Sequence, residues 1–334
     1  MIRLNMETDT AIDVSVVIPV YRTAGTIRAL VERVLGVLEA SENRHEVVLV
    51  EDGSADDSWP AVLEVQHAYP GRITAVQLTR NYGQHNALMC GFRHCRGRYI
   101  VTLDDDGQNP PEEIPKLLKA IQQDNWDLVY GSYGHKKHQA WRNLGSRVVN
   151  AFYRSVFKTN VTITSFRVMR GELAASILTY SLNFTFIDGL LAWNTQRIGH
   201  IPVIHLPRQQ GESSYTLGRL ILLAFNLFTN FSLFPLQLAS ACGLAAAALG
   251  IVTALYYLVM FVSSNISVPG YASIIITVLV LGGLQLSALG IIGEYLGRLH
   301  LNVNRKPQYV ERHCLISHQS SVISDQSSVV RRVG

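Results

Sequence analysis

The chain has 334 residues, 16% of them charged and 48% hydrophobic, and a formal net charge of +4. That length buries a sizeable core and has room for more than one structural unit. The near-balanced charge, with no arginine-rich or RNP-like segment, gives no case for a nucleic-acid partner. The four cysteines, Cys90, Cys95, Cys242 and Cys314, include no CxxC pair, so they form no zinc or disulfide framework and fit free thiols in a reducing compartment. His85 and His94, near Cys90 and Cys95, are read as ordinary packing of one helix rather than as metal ligands.

Residues 1–13 hold no apolar core of signal-peptide length, which places the amino-terminal part in the cytoplasm as an expectation. Val14–Val20 (VSVVIPV) is a continuous β-branched run, and Ile27, Leu30, Val31, Val34 and Leu38 then recur at helical spacing. Glu46–Val50 is a second buried-strand run ending on Glu51, Asp52 and Gly53. A helix follows past Trp59 and Val62, with Asp56 and Asp57 read as cap or turn formers. Ile73–Leu78 is a third strand, Gln84–Cys95 a helix and Tyr99–Leu103 a fourth strand. Strands apolar on both faces and separated by helix-length segments predict a doubly wound α/β sheet covered on both sides.

In such sheets ligands bind beyond the carboxyl ends of the strands. The polar residues fall there: Pro19 and Tyr21 after the first strand, Asp52 after the second, Arg80 and Asn81 after the third, and Asp104, Asp105 and Asp106 after the fourth. Three adjacent carboxylates at the end of a buried strand are costly to desolvate unless a cation sits among them. Aspartates at i and i+2, here Asp104 and Asp106, suit one hard cation, Mg or Mn, that neutralises a diphosphate and stabilises its departure. Neither GxGxxG nor GxxxxGK[ST] is present, so the dinucleotide and P-loop variants of the architecture lack their main signal.

VSVVIPVY, VLVEDGSADDS, LTRNYGQHNALMCGF and LDDDGQNPPEEIPKL, in that order and spacing, resemble the family 2 glycosyltransferases of GT-A fold. RQQGESSY at Arg208–Tyr215 and GEYLGRLHLNVNRKPQY at Gly293–Tyr309 narrow the resemblance to the polyprenyl-phosphate glycosyltransferases, the group of dolichyl-phosphate mannose synthase and of bacterial enzymes that load glucose or aminoarabinose onto undecaprenyl phosphate. The resemblance implies that Pro19, Tyr21 and Asp52 hold the nucleoside, that Asp104 and Asp106 bind the metal and diphosphate, and that Asp105 points away. It places Gln108 near the donor sugar. It also matches Arg142, Arg167, Arg208 and Ser213 to polar positions around the pyrophosphate and acceptor phosphate, where guanidinium groups pair well with phosphate oxygens.

Three positions depart from the family pattern. Tyr21, Arg22 and Thr23 stand where relatives carry an acidic residue after the first strand, and Ser214 replaces a lysine. The stretch Val161, Thr162, Ile163 and Thr164, before Ser165, Phe166 and Arg167, lacks the aspartate proposed as a base in relatives. A phosphate monoester, with a second pKa of about 6, is already mostly ionised at neutral pH and attacks without that base.

Between Leu220 and Gly293 there is no Asp, Glu, Lys, Arg or His. Phe231–Val262 and Tyr271–Ile292 each exceed the roughly 20 residues that cross a hydrocarbon core. Tyr215–Asn230 reads as an interfacial helix before them. Arg208 and Arg219 precede the first span and Arg298, Arg305, Lys306 and Arg312 follow the second, whereas the turn Ser263–Gly270 has no positive residue. Both ends of the hairpin are therefore expected on the cytoplasmic side. The expected organisation is a GT-A-type doubly wound mixed sheet over 1–214, an interfacial helix over 215–230, two transmembrane helices over 231–293 and a carboxyl-terminal segment over 294–334 that ends in disorder. Gly282, Gly283, Gly290 and Gly293 suit close helix packing, within one chain or in a homo-oligomer.

These features predict an integral protein of the bacterial inner membrane that moves one sugar from a nucleotide diphosphate, UDP favoured, to a polyprenyl phosphate. A processive polysaccharide synthase would need a translocation channel and a QxxRW-like motif, and neither is visible. A non-catalytic nucleotide-sugar-binding regulator remains the alternative from another class.

Overall fold

The computed structural model describes residues 12–41, 43–133, 164–181, 185–206, 234–263, 271–303 and 307–316. Contacts group the described parts of 12–206 with 307–316 in one unit and 234–303 in a second.

The first unit is built on eight strands: β1 (Val14–Val20), β2 (His45–Glu51), β3 (Ile73–Leu78), β4 (Tyr99–Thr102), β5 (Leu128–Tyr133), β6 (Arg167–Arg170), β7 (Ile198–Val203) and β8 (Glu311–Leu315). Their order across the sheet is β7-β5-β6-β4-β1-β2-β3-β8. β1 runs parallel to β2 and β4, β2 to β3, and β5 to β7, while β6 and β8 are antiparallel to their neighbours. The mixed α/β sheet is thus as expected, and the four strands read from the sequence lie at its centre.

Both faces are covered because strand side chains alternate. Val16, Ile18 and Val20 of β1 join Val47 and Leu49 of β2 against α1 (Ile27–Ala40), α2 (Ser58–Ala68) and α4 (Ile114–Gln123). Val17, Val48 and Val50 point the other way, against α3 (Gln84–His94), α5 (Gly171–Ile177) and α6 (Ile187–Asn194). α1 buries Ile27, Leu30, Val31, Val34, Leu35 and Leu38, the stripe that its spacing predicts. α4 buries the same kind of stripe, Ile114, Leu117, Leu118 and Ile121.

One buried charge organises the amino ends of the central strands. Glu46 on β2 is fully buried, accepts the Ser15 hydroxyl of β1 at 2.6 Å and takes three N–H groups from Arg96 at 2.6–2.9 Å. Ser15 Oγ in turn accepts the Gly97 N–H at 2.8 Å. Three segments are tied by one side chain whose lone pairs are all used, the condition under which a buried carboxylate is tolerated.

The second unit consists of α7 (Phe234–Val262) and α8 (Tyr271–Val303). α8 runs eleven residues beyond the expected end at Ile292. One window of α8, Val280–Gly297, is long and apolar enough to cross a membrane, and α7 offers a shorter apolar stretch, Ala239–Thr253. The interfacial helix expected over 215–230 lies outside the described residues. A further correction concerns the carboxyl-terminal segment: Glu311–Leu315, expected to lead into disorder, is a strand on the edge of the sheet. Five residues with two charges and a histidine carry no strand periodicity, and the pairing comes from the open edge of β3.

Replacing Glu46 by alanine orphans the Ser15 hydroxyl and the Arg96 guanidinium. The expected loss is on the order of 2–4 kcal/mol, seen as a thermal midpoint lowered by roughly 5–15 °C, with Glu46→Gln losing less. Unchanged melting of Glu46→Ala would refute the tie.

Candidate functional site

At the carboxyl ends of β1, β2 and β4 a cavity of about 260 Å³ is lined by Pro19, Val20, Tyr21, Asp52, Asn81, Gly83, Gln84, Asp104, Asp105 and Asp106. Six residues singled out from the sequence, Pro19, Tyr21, Asp52, Asn81, Asp104 and Asp106, meet there.

Asp52, Asp104 and Asp105 are each held by donors from another segment, and Asp106 by a donor in its own loop. Asp52 is buried at the end of β2 and accepts the backbone N–H groups of Tyr82 at 2.7 Å and Gly83 at 2.8 Å. Burial pushes its pKa up to about 6 against those two hydrogen bonds. The turn that makes this possible needs Gly53: its φ is +61°, and a Cβ would lie 2.2 Å from the carbonyl carbon of Arg80. Asp104 accepts Gln84 Nε2 at 2.5 Å and a short hydrogen bond from the Ser165 hydroxyl. Desolvation lifts it too to about 6, and the charges of Asp106 and Asp105 add to the effect. Asp106 accepts the Gln108 N–H at 3.1 Å.

Asp105, expected to point away, lines the same cavity and is held by the segment after β1. It accepts the Tyr21 N–H and the Thr23 hydroxyl, both at 2.8 Å, and burial raises its pKa. Arg22 between them takes a positive φ of 57°, a conformation uncommon for a non-glycine residue, and sets both donors toward Asp105. This accounts for one departure from the family pattern. An acid at position 23 would face the Asp105 carboxylate, whereas Thr23 donates to it.

Other predicted residues lie elsewhere. Arg80 stacks on the Tyr82 ring, 4.8 Å from its centroid. Gln108 is fixed through its backbone, its carbonyl accepting the Leu206 N–H at 2.8 Å. Arg167 does not line the cavity. Its side chain is 2% exposed, pairs with Asp188 and lies near Tyr130, whose hydroxyl donates to Asp188 at 2.8 Å. Arg142, Arg208 and Ser213 lie outside the described residues. Asp56 caps locally, accepting the Ser58 hydroxyl at 2.7 Å.

Sequence reasoning missed Gln84, Ser165, Thr23 and Asp188. Ser165 carried a signal, since it sits immediately before Phe166 and Arg167 in the stretch searched for a base. The contact it makes, 61 positions back to Asp104, could not be read from the chain.

The oxygen-rich donor set fits a hard divalent cation: two carboxylates, Asp104 and Asp106, face one cavity, and Asp104 is desolvated at a cost that a cation would offset. Sheet and cavity together define an α/β domain whose carboxyl edge carries a cluster of carboxylates rather than a glycine-rich phosphate loop. The family profile for glycosyl transferase family 2 matches residues 15–171. The undecaprenyl-phosphate 4-deoxy-4-formamido-L-arabinose transferase of Sodalis glossinidius is 35% identical over 331 residues, covering 97% of this chain and 100% of the relative. The protein of the same name from Pseudomonas syringae pv. syringae is 35% identical over 320 residues, 93% of each chain. The chain belongs to glycosyl transferase family 2. Among solved structures, glucosyl-3-phosphoglycerate synthase from Mycobacterium tuberculosis with Mn2+ and UDP is 13% identical with a TM-score of 0.48, covering 65% of this chain and 78% of that one.

Asp104→Asn separates stability from function. A carboxyl raised from 3.8 to about 6 in the fold favours the folded state when protonated, and that contribution is lost as pH rises through about 6. The amide carries no such cost. Metal-free Asp104→Asn is therefore expected to melt higher than the parent at pH 7.5, by about 1–2 kcal/mol once altered hydrogen bonds are discounted. The gap should close as pH falls toward 4, and added Mn should stabilise the parent alone. Fluorimetric melting across pH with a chelator or Mn checks this, and a variant less stable at every pH would contradict it.

Proposed function

We propose that the chain transfers one sugar from a nucleotide-diphosphate donor, UDP favoured, to undecaprenyl phosphate at the cytoplasmic face of the bacterial inner membrane. The observation that carries the reading is the convergence of Asp104, Asp106 and Asp52 on one cavity in a chain that matches its polyprenyl-phosphate relatives over nearly its whole length. The sugar in those relatives' names, 4-deoxy-4-formamido-L-arabinose, is the first donor to test.

In this reading Pro19, Tyr21, Asp52 and Asn81 form the nucleoside end of the cavity, and Asp104 and Asp106 hold Mg or Mn at its diphosphate end. When bound, the cation supplies positive charge to the diphosphate oxygens as the bond to the sugar breaks. Gln84 and Ser165 fix the orientation of Asp104, and Gln108 fixes Asp106. Arg142, Arg208 and Ser213 are assigned to the donor and acceptor phosphates. The acceptor phosphate oxygen attacks the anomeric carbon, the nucleoside diphosphate leaves from the opposite side, and the sugar configuration inverts. The acceptor oxygen carries no proton at neutral pH, so the missing aspartate before Ser165 removes no required step.

We further assign residues 1–214 to the catalytic domain, 215–230 to an interfacial helix and 231–293 to a two-span hairpin. Support comes from the apolar window Val280–Gly297 and from the positive residues flanking the apolar segment. Connectivity adds a constraint, because β7 before the apolar segment and β8 after it belong to one sheet. A segment that leaves a sheet and returns to it crosses a membrane an even number of times, so a crossing by α8 requires a second.

The test uses full-length protein in detergent with a short polyprenyl phosphate, Mg or Mn, and labelled nucleotide sugars headed by the UDP-linked formamido-arabinose. Label is expected in the lipid fraction, and Asp104→Asn or Asp106→Asn is expected to lower turnover on the order of 10²- to 10³-fold. Donor binding without any lipid labelling would favour the regulator. Labelled polymer would favour a processive synthase.

A further inference from the structure

Where α3 meets β8, four metal-competent side chains come together, and none of them lines the aspartate cavity. Cys90 and His94 stand one turn apart on one face of α3. Glu311 and Cys314 reach that same face of β8 because of a register shift. Val76 pairs with Cys314 and Leu78 with Glu311, with the irregularity between Gln77 and Leu78. In a regular strand, positions three apart point to opposite sides of the sheet. The bulge adds one residue and brings both to the α3 side.

The donor atoms are close enough to share an ion. His94 Nε2 lies 3.1 Å from Glu311 Oε1, Cys90 Sγ lies 3.4 Å from the same oxygen, and all three donors fall within 4.8 Å of one another. A tetrahedral zinc with Zn–N and Zn–O near 2.0–2.2 Å and Zn–S near 2.3 Å separates its ligand atoms by roughly 3.3–3.7 Å. The remaining ring nitrogen, His94 Nδ1, faces Cys314 Sγ at 3.9 Å, the place where a ligating imidazole takes an outer hydrogen-bond partner.

We propose that Cys90, His94 and Glu311 bind a borderline divalent cation of the zinc class, with Cys314 orienting the imidazole, and that this ion clamps β8 to α3. The thiol, imidazole and carboxylate set selects such a metal over Mg, in contrast to the oxygen-only aspartate site. On binding, the Cys90 thiol gives its proton to solvent as the sulfur–metal bond forms, and water takes the fourth position.

Cobalt distinguishes the two sites, because only a thiolate ligand produces sulfur-to-cobalt charge-transfer absorption. Full-length protein in detergent is stripped with a chelator and titrated with Co2+. The expected result is a charge-transfer band in the near ultraviolet that saturates at one equivalent, is bleached by Zn2+, resists excess Mg2+ and survives in Asp104→Asn. Cys90→Ser should abolish the band. Glu311→Gln, a half-exposed position that keeps the fold even where Cys90→Ser does not, should weaken Co2+ binding at least about tenfold, since loss of even an outer partner costs ~10–100-fold. Absence of the band in folded protein, or a band of equal affinity in Glu311→Gln, overturns the proposal and leaves a hydrogen-bonded His94–Glu311 clasp.

Discussion

The constraint on which this catalytic unit turns is the crowding of four carboxylates, Asp52, Asp104, Asp105 and Asp106, at one rim of the sheet. Burial is what chiefly raises the pKa values of Asp52, Asp104 and Asp105, and like charge adds to it, from Glu51 at Asp52 and from neighbouring aspartates at Asp104 and Asp105. The fold meets this load with donors from separate segments, the 82–83 turn, Gln84 on α3, Ser165 before β6 and the 21–23 loop after β1, and with the Gln108 backbone of the aspartates' own loop. The segments at 21–23, 82–84 and 165 are thereby positioned by carboxylates. The site is preorganised and electrostatically loaded at once, which is the state in which a divalent cation binds with the greatest differential gain.

Arg167 illustrates how the same load acts at a distance. Its guanidinium pairs through Nη1 with the buried Asp188 on α6, which also accepts the Tyr130 hydroxyl, while its buried Nε has no hydrogen-bond partner among the described residues. From there its field still lowers the pKa of Asp104, though less than burial raises it. Breaking such a pair leaves a bare buried charge, so Arg167 and Asp188 constrain each other more tightly than either constrains a ligand. The matched motif position of Arg167 is therefore compatible with a supporting part that needs no contact with phosphate.

What could be read from the chain followed its local periodicity. β1 to β4 are mostly apolar runs of four to seven residues, and their polar ends were legible as a rim because a strand that stops on Asp52 or Asp104 has a known direction. β6, four residues with arginine at both ends, and β8, five residues with a bulge, have too little pattern to announce themselves. Their pairing is dictated by open edges and by the helices above them. In the site, the residue types at the rim were legible and their partners were not, since Thr23 meets Asp105 across 82 positions and Ser165 meets Asp104 across 61. The cysteines show the same limit: Cys90 packs in the core as its helical spacing predicts, but its contact with Glu311, 221 positions away, could not be read from the chain.

The return of the chain at β8 has a consequence for both units. A bare β3 would be an open parallel edge offering unpaired N–H and C=O groups, and β8 closes it. Thr79 donates its N–H to the Val310 carbonyl at 2.9 Å, and Arg312 reaches the Thr79 carbonyl, so the closure extends past the strand itself. The helices α7 and α8 are thus bracketed in sequence by two elements of one sheet rather than appended to its end. Detaching β8 would expose an edge strand next to the β2–β3 rim and would also release the parity constraint on the proposed hairpin. Edge protection and the parity constraint on the proposed hairpin then rest on the same five residues, which are held by side-chain contacts of Glu311 and Arg312 as well as by backbone hydrogen bonds.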